Sequence, residues 1–148
     1  MTLEGTTHVQ AESPQPASRK VRYINATIRV LLGLLFAVFR LNGLLNFLPQ
    51  PSTPMPPAAT AFLGALMATG YMLPLIFTTQ VIVGVLLLSN RFVPLALTLL
   101  APFMVNSILF HVFLEPSGRP MAFIVLALQL YLVWTYRRSY QSILSPRA

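Results

Sequence analysis

Residues 92–114, FVPLALTLLAPFMVNSILFHVFL, contain no Asp, Glu, Lys or Arg. As a helix this stretch is about 35 Å long, enough to cross the ~30 Å hydrocarbon core of a bilayer. An unpaired backbone polar group costs several kcal/mol in hydrocarbon, so a crossing segment is either a helix or part of a closed barrel. The apolar run is continuous rather than alternating, which selects a helix. The stretch is also bounded sharply: Asn90 and Arg91 precede it, and Glu115-Pro116-Ser117-Gly118-Arg119 follows it.

The same pattern recurs on either side. A first span is expected over about Tyr23 to Leu48 and a fourth from Pro120 to near Tyr136. Between them, Pro49, Pro51, Pro54, Pro56 and Pro57 forbid a helix and give an extended connection. Residues 58–89 would form a straight helix of roughly 48 Å, too long for one crossing. Gly70 and Pro74 divide it into a short piece, Ala58 to Thr69, suited to a re-entrant or interfacial helix, and a crossing piece, Met72 to Ser89. Pro94 falls in the first turn of the third span, where its missing N–H does no harm, and Pro102 falls inside it. The expected fold is all-α, a four-transmembrane-helix bundle with a short re-entrant or interfacial helix between spans 1 and 2. It comprises a disordered tail (1–22), a transmembrane domain (23–140) and a C-terminal tail (141–148). The run after Arg22 is too long for a cleaved signal peptide and reads as a retained signal anchor.

Composition agrees. Of 148 residues, 55% are hydrophobic and 9% charged, with a mean hydropathy of +0.70, whereas soluble domains carry about 25% charged residues. The net charge of +7 does not indicate nucleic acid, because the basic residues flank apolar runs instead of sharing a soluble face. Arg19, Lys20, Arg22, Arg91, Arg137, Arg138 and Arg147 fall on one side of a four-span arrangement and only Arg119 on the other. The positive-inside rule then puts both termini in the cytoplasm, with the chain in the cytoplasmic (inner) membrane. Tyr23, Tyr131, Trp134, Tyr136 and Tyr140 gather at that cytoplasmic interface. The absence of Cys excludes thiol redox chemistry and Cys-ligated metals, and two His are too few for a haem or metal site.

Each span carries a polar residue toward its outer half or centre: Arg40, then Gln80, then Asn106, Ser107 and His111, then Gln129. Such groups usually face a bundle interior. Arg29, Gly33, Phe36 and Arg40 share one helix face, and Ser107, His111 and Glu115 form a stripe at i+4 steps. Arg29 is expected to snorkel. Arg40 is either an interhelical pin or a ligand contact, reaching toward Glu115, His111 or a bound anionic or quinone-like molecule. Gln80, Asn106 and Gln129 hydrogen-bond between helices or line the same pocket, with Glu115 at its rim. Asn42 and Asn46 cap or pack at the outer interface.

Leu41-Asn42-Gly43 leading to Phe47-Leu48-Pro49, the run from Ala61 to Tyr71, Leu73 to Ile76, Leu86 to Pro94, Ala101-Pro102, and Asn106 with Phe110-His111 together resemble the DoxX-like family of small four-span membrane proteins. The resemblance covers about Arg29 to Tyr140. It implies a compact four-helix membrane bundle, and members have been linked to quinone-coupled sulfur oxidation and oxidative-stress assemblies. Related sequences often carry a Lys and a Glu where this chain has Phe77 and Gln80, which removes a candidate proton acceptor. The function expected is therefore an accessory or scaffold protein with a quinone or other amphiphile in the outer half of the bundle, not an enzyme on its own. The alternatives are a membrane subunit of a quinone-linked oxidoreductase and a small-solute transporter. The expected partners are the lipid bilayer, a membrane or soluble protein, and further copies of the chain. No metal and no catalytic residue are expected.

Overall fold

The structure is a computed structural model that describes residues 19–49 and 54–144. Helix α1 spans Arg19–Leu45, α2 Pro57–Ala68, α3 Met72–Leu88, α4 Val93–Phe113, α5 Arg119–Thr135 and α6 Arg137–Leu144, with a single 3-10 turn at Pro116–Gly118. No strand occurs among the described residues. Helices α1, α3, α4 and α5 form a ring in which α1 packs on α3, α3 on α4, α4 on α5 and α5 on α1. The shared core is Leu32, Phe36, Val83, Leu87, Leu97, Leu100, Met104 and Leu132.

The surface outside this core is apolar. Val38, Ile82, Val85, Leu95, Ile124 and Leu130 are all large and exposed, the distribution a lipid-facing surface requires. Three segments, Arg19–Leu45, Val93–Phe113 and Pro116–Thr135, are long and apolar enough to cross a membrane. The α2–α3 pair meets the same test when taken together, but it is bent by 91°. These segments are compatible with a multi-pass membrane protein.

The bend has a local cause. Gly70 takes a left-handed φ of 73°, and the Thr69 hydroxyl accepts from the Met72 N–H at 3.0 Å, closing α2 and opening α3. Pro56, at φ −54° and ψ 146°, holds the chain extended ahead of α2. Asn46 and Asn90 take positive φ just after α1 and α3, the role asparagine shares with glycine at helix ends. Helix α1 stops at Leu45, short of the expected Leu48, because the Asn42 side chain accepts the Leu48 N–H at 2.6 Å and so folds the chain back. At its other end, α1 begins at Arg19, so residues 19–22 of the expected tail are helical. The rest of that tail, residues 1–18, lies outside the described residues, as do 50–53 of the proline-rich connection. Helix α6 runs through Tyr140, where the membrane domain was expected to end.

One end of the bundle carries nearly all the basic residues and is tied by side chains. Arg29, which was expected to snorkel toward this end, donates to the Leu87 carbonyl at 2.7 Å. The Leu87 carbonyl also accepts the Asn90 N–H at 3.3 Å, and α1 lies close enough to add the guanidinium as a second donor. Tyr131 donates to Asn25 at 2.7 Å, and Tyr140 donates to the Pro94 carbonyl at 2.8 Å. The opposite end, marked by Glu115, holds the candidate site.

Candidate functional site

The turn after α4 is built by one carboxylate. Glu115 accepts the backbone N–H groups of Ser117 and Gly118 and the Ser117 hydroxyl. Arg119 donates to the carbonyls of His111 and Val112 at 3.0 and 2.7 Å, which places a cation on the C-terminal turn of α4. These contacts hold His111 in place. Its Nδ1 lies 3.0 Å from both the Glu115 carbonyl oxygen and Glu115 Oε2. Both neighbours are acceptors, so Nδ1 carries the proton and donates. Nε2 is left without a partner among the described residues; as neutral imidazole it accepts, and as imidazolium it donates.

The hydrogen bond from the Ser117 hydroxyl, followed by those from Gly118, His111 and the Ser117 N–H, holds the Glu115 carboxyl below its ordinary value of 4.5. A lowered folded pKa means that the turn's stabilisation is complete above the unfolded value and is lost as pH falls through the folded one. The Ser117 and Gly118 amides are therefore expected to stay protected from hydrogen exchange through pH 4.5 and to lose protection only in stronger acid. Loss of protection at or above pH 4.5 would show that the carboxylate does not organise this turn.

Gly118 is needed for space. A Cβ there would lie 2.2 Å from His111 Cε1 and 2.4 Å from Nδ1. The obstacle is a side chain, not backbone, so Gly118→Ala is expected to swing the imidazole off Glu115 while the bundle keeps its stability within about 1 kcal/mol. The check is the loss of the His111 Nδ1–H resonance at an unchanged unfolding midpoint.

His111 faces a cavity of about 380 Å³, within the usual range for small-molecule sites. Helix α1 contributes Leu35, Phe36, Phe39 and Arg40, and α4 contributes Phe103, Met104, Ser107 and His111. Gly118, Met121, Ala122 and Val125 close the third side. Arg40 has no acidic partner among the described residues, and Glu115 pairs with His111 instead. The expected reach of Arg40 to Glu115 is thus not made. The guanidinium carbon lies 5.8 Å from the ring centre of Phe77 and 5.3 Å from that of Phe103. Each such cation–π contact is worth about 0.5–1 kcal/mol at exposed sites and more when dry. The pocket thus combines an aromatic-seated cation, a hydroxyl at Ser107, an oriented imidazole and apolar walls.

The other residues expected at this pocket lie elsewhere. Gln129 is 3% exposed, donates to the Leu97 carbonyl at 3.1 Å, and lines a separate groove of about 500 Å³ between α4 and α5. Gln80 is 2% exposed inside the bundle, and neither polar atom of its amide has a partner among the described residues. Asn106 is exposed. Adjacent residues on a helix point about 100° apart, so Ser107 and His111 face inward while Asn106 faces outward. Sequence reasoning missed Phe77 and Phe103, which carry no signal among so many apolar residues. It also missed Gly118, whose place in a turn beside His111 was the available cue. Among the described residues, no group of three His, Cys, Asp or Glu is positioned to hold a metal. Comparison with known proteins finds no matching family model, no matching curated protein and no matching solved structure.

Proposed function

We propose that this chain is a four-span protein of the cytoplasmic membrane, of DoxX-like type, that binds an amphiphile in the outer leaflet as an accessory or scaffold protein. In this reading α3 crosses and α2 lies along the outer interface. Both termini are cytoplasmic, because the basic end of the bundle carries Arg19, Lys20, Arg22, Arg91, Arg137 and Arg138. The observation that carries the binding proposal is Arg40, a permanent cation with no carboxylate partner among the described residues, lining the same cavity as His111. A carbonyl or anionic oxygen between them accepts from the guanidinium, and the apolar walls receive the ring or chain behind it. A quinone has this form.

A second reading, a membrane subunit of a quinone-linked oxidoreductase, draws on the contact between His111 and Glu115. That pair connects the pocket to the rim through groups able to pass a proton. The electrons would come from a soluble partner, since the chain holds no cofactor-anchoring motif.

Native mass spectrometry of the gently extracted protein tests the binding proposal. The expected result is a retained quinone or lipid at one per chain, displaced by an added short-chain quinone. Failure to retain or take up either one rejects the pocket.

A further inference from the structure

We propose that the outward face of α4 is a homodimer interface, closed by Asn106 pairing with its own symmetry mate. Asn106 lies seven residues before the end of α4, about 10 Å inside the helix. It is exposed, and its side chain makes no hydrogen bond among the described residues. Of the described amides it alone is left exposed within the apolar part of a helix: Asn42, Gln80 and Gln129 are buried, Asn25 accepts from Tyr131, Asn46 and Asn90 follow helix ends, and Gln141 lies in the polar α6. Thr79 and Thr98 turn their hydroxyls back onto the carbonyls of Leu75 and Pro94, but Asn106 has no such outlet.

An amide facing hydrocarbon is costly, which makes a polar residue at such a position a strong association signal. Carboxamides are self-complementary, since each has a donor and an acceptor. Copies inserted in the same orientation carry Asn106 at the same depth. A twofold axis along the membrane normal therefore sets the two amides side by side, with each Nδ2–H donating to the other's Oδ1. Self-complementarity and equal depth thus select a second copy as the occupant.

The surrounding face fits. Leu95, Leu99, Pro102, Asn106, Leu109 and Phe113 are all exposed, and they follow the alternating four-and-three spacing of a left-handed helix pair. A single polar residue in such a seam fixes register and stoichiometry. Beside the seam, Thr98 and Ala101 are small and open onto the apolar groove between α4 and α5, which allows a neighbouring helix close approach. This interface lies on a different face of α4 from Ser107 and His111, so it stands whether or not the pocket binds a ligand.

The chain has no Cys, so single cysteines report proximity directly. In liposomes, Leu99→Cys and Leu109→Cys on the seam are expected to form disulfide dimers on oxidation, while Ile124→Cys, exposed on α5, does not. By energy transfer between labelled chains in liposomes, Asn106→Leu is expected to weaken dimerisation by roughly 3- to 20-fold, and Asn106→Gln to retain most of it. Three results would overturn the proposal: a monomer at every protein-to-lipid ratio, a dimer indifferent to Asn106→Leu, or cross-linking through Ile124→Cys in preference to the seam. The first would assign the face to a different protein or to lipid.

Discussion

Gly84→Ala is expected to destabilise the bundle by about 2 kcal/mol, and Gly84→Leu to prevent its assembly. A Cβ on Gly84 would lie 2.5 Å from the Ala37 nitrogen, 2.8 Å from the Gly33 carbonyl oxygen and 2.9 Å from the Ala37 Cα. All three are backbone atoms, so no side-chain rotation relieves the clash and α1 must move away from α3. Overpacking costs typically 1–3 kcal/mol, and a contact limited to backbone belongs at the top of that range. The better helix propensity of alanine offsets about 1 kcal/mol of it. Moving α1 also strains the 2.7 Å bond from Arg29 to the Leu87 carbonyl, which joins the same two helices. Gly64→Ala is the internal control, because a Cβ there meets nothing within 4 Å. Only the propensity term acts at that position, so stability is expected to rise by up to about 1 kcal/mol. Gly33→Ala falls between the two, since its first obstacles are the Leu88 side chain at 2.8 and 3.0 Å and only the third, the Gly84 carbonyl oxygen at 3.2 Å, is backbone. Unfolding midpoints in detergent check the series. Equal effects at Gly84 and Gly64 would show that α1 and α3 are not in backbone contact.

This close packing marks a limit of what the sequence reveals. The bounds of α2 to α5 were legible, because charge-free runs, prolines and Gly70 act through local chemistry, whereas both ends of α1 and the whole of α6 were not. How each helix is rotated was much less legible. Helices α3 and α4 are apolar on every side, so no amphipathic stripe tells which face turns inward. Asn106 and Ser107 show the consequence: as neighbours at one depth they read alike, and only packing separates the exposed one from the pocket-lining one. Pairs set by fixed helical spacing fared better. Ser107 and His111 share the inward face that their i+4 step implies, whereas Glu115 lies beyond the end of α4 at φ −137° and ψ 84° and meets His111 from the turn, not from a helical stripe. Partners across helices did not follow from depth. Arg40 and Glu115 belong to the same end of the bundle, yet Glu115 is used up by its own turn and by His111, and the cation settles on Phe77 and Phe103 instead.

Whether Arg40 is a ligand contact or an interhelical pin is decided by the opposite effects expected of Arg40→Met. Methionine has similar length, fills the space between Phe77 and Phe103, and makes favourable sulfur–aromatic contacts. The substitution removes an unpaired charge from an apolar helix, a gain of at most about 2.5–3.5 kcal/mol at a bilayer centre and less near the rim where Arg40 lies. Against that gain stands the loss of two cation–π contacts, each worth about 1–2 kcal/mol in a largely dry site. The two nearly cancel, so the unfolding midpoint without ligand is expected to stay within about 1 kcal/mol of the original. Binding behaves differently. A hydrogen bond to a charged group contributes about 1.5–3 kcal/mol, so affinity for a short-chain quinone is expected to fall roughly 10- to 150-fold. Arg40→Lys separates charge from shape: it keeps the cation but loses the planar group that stacks on both rings, and its affinity should lie between the other two. If Arg40 were a pin, Arg40→Met would lower the unfolding midpoint strongly and leave the quinone affinity of the folded fraction unchanged. The pocket requires the reverse, because its apolar walls supply attraction without orientation, and Arg40 with the Glu115-held imidazole supplies the polar contacts that select a head group.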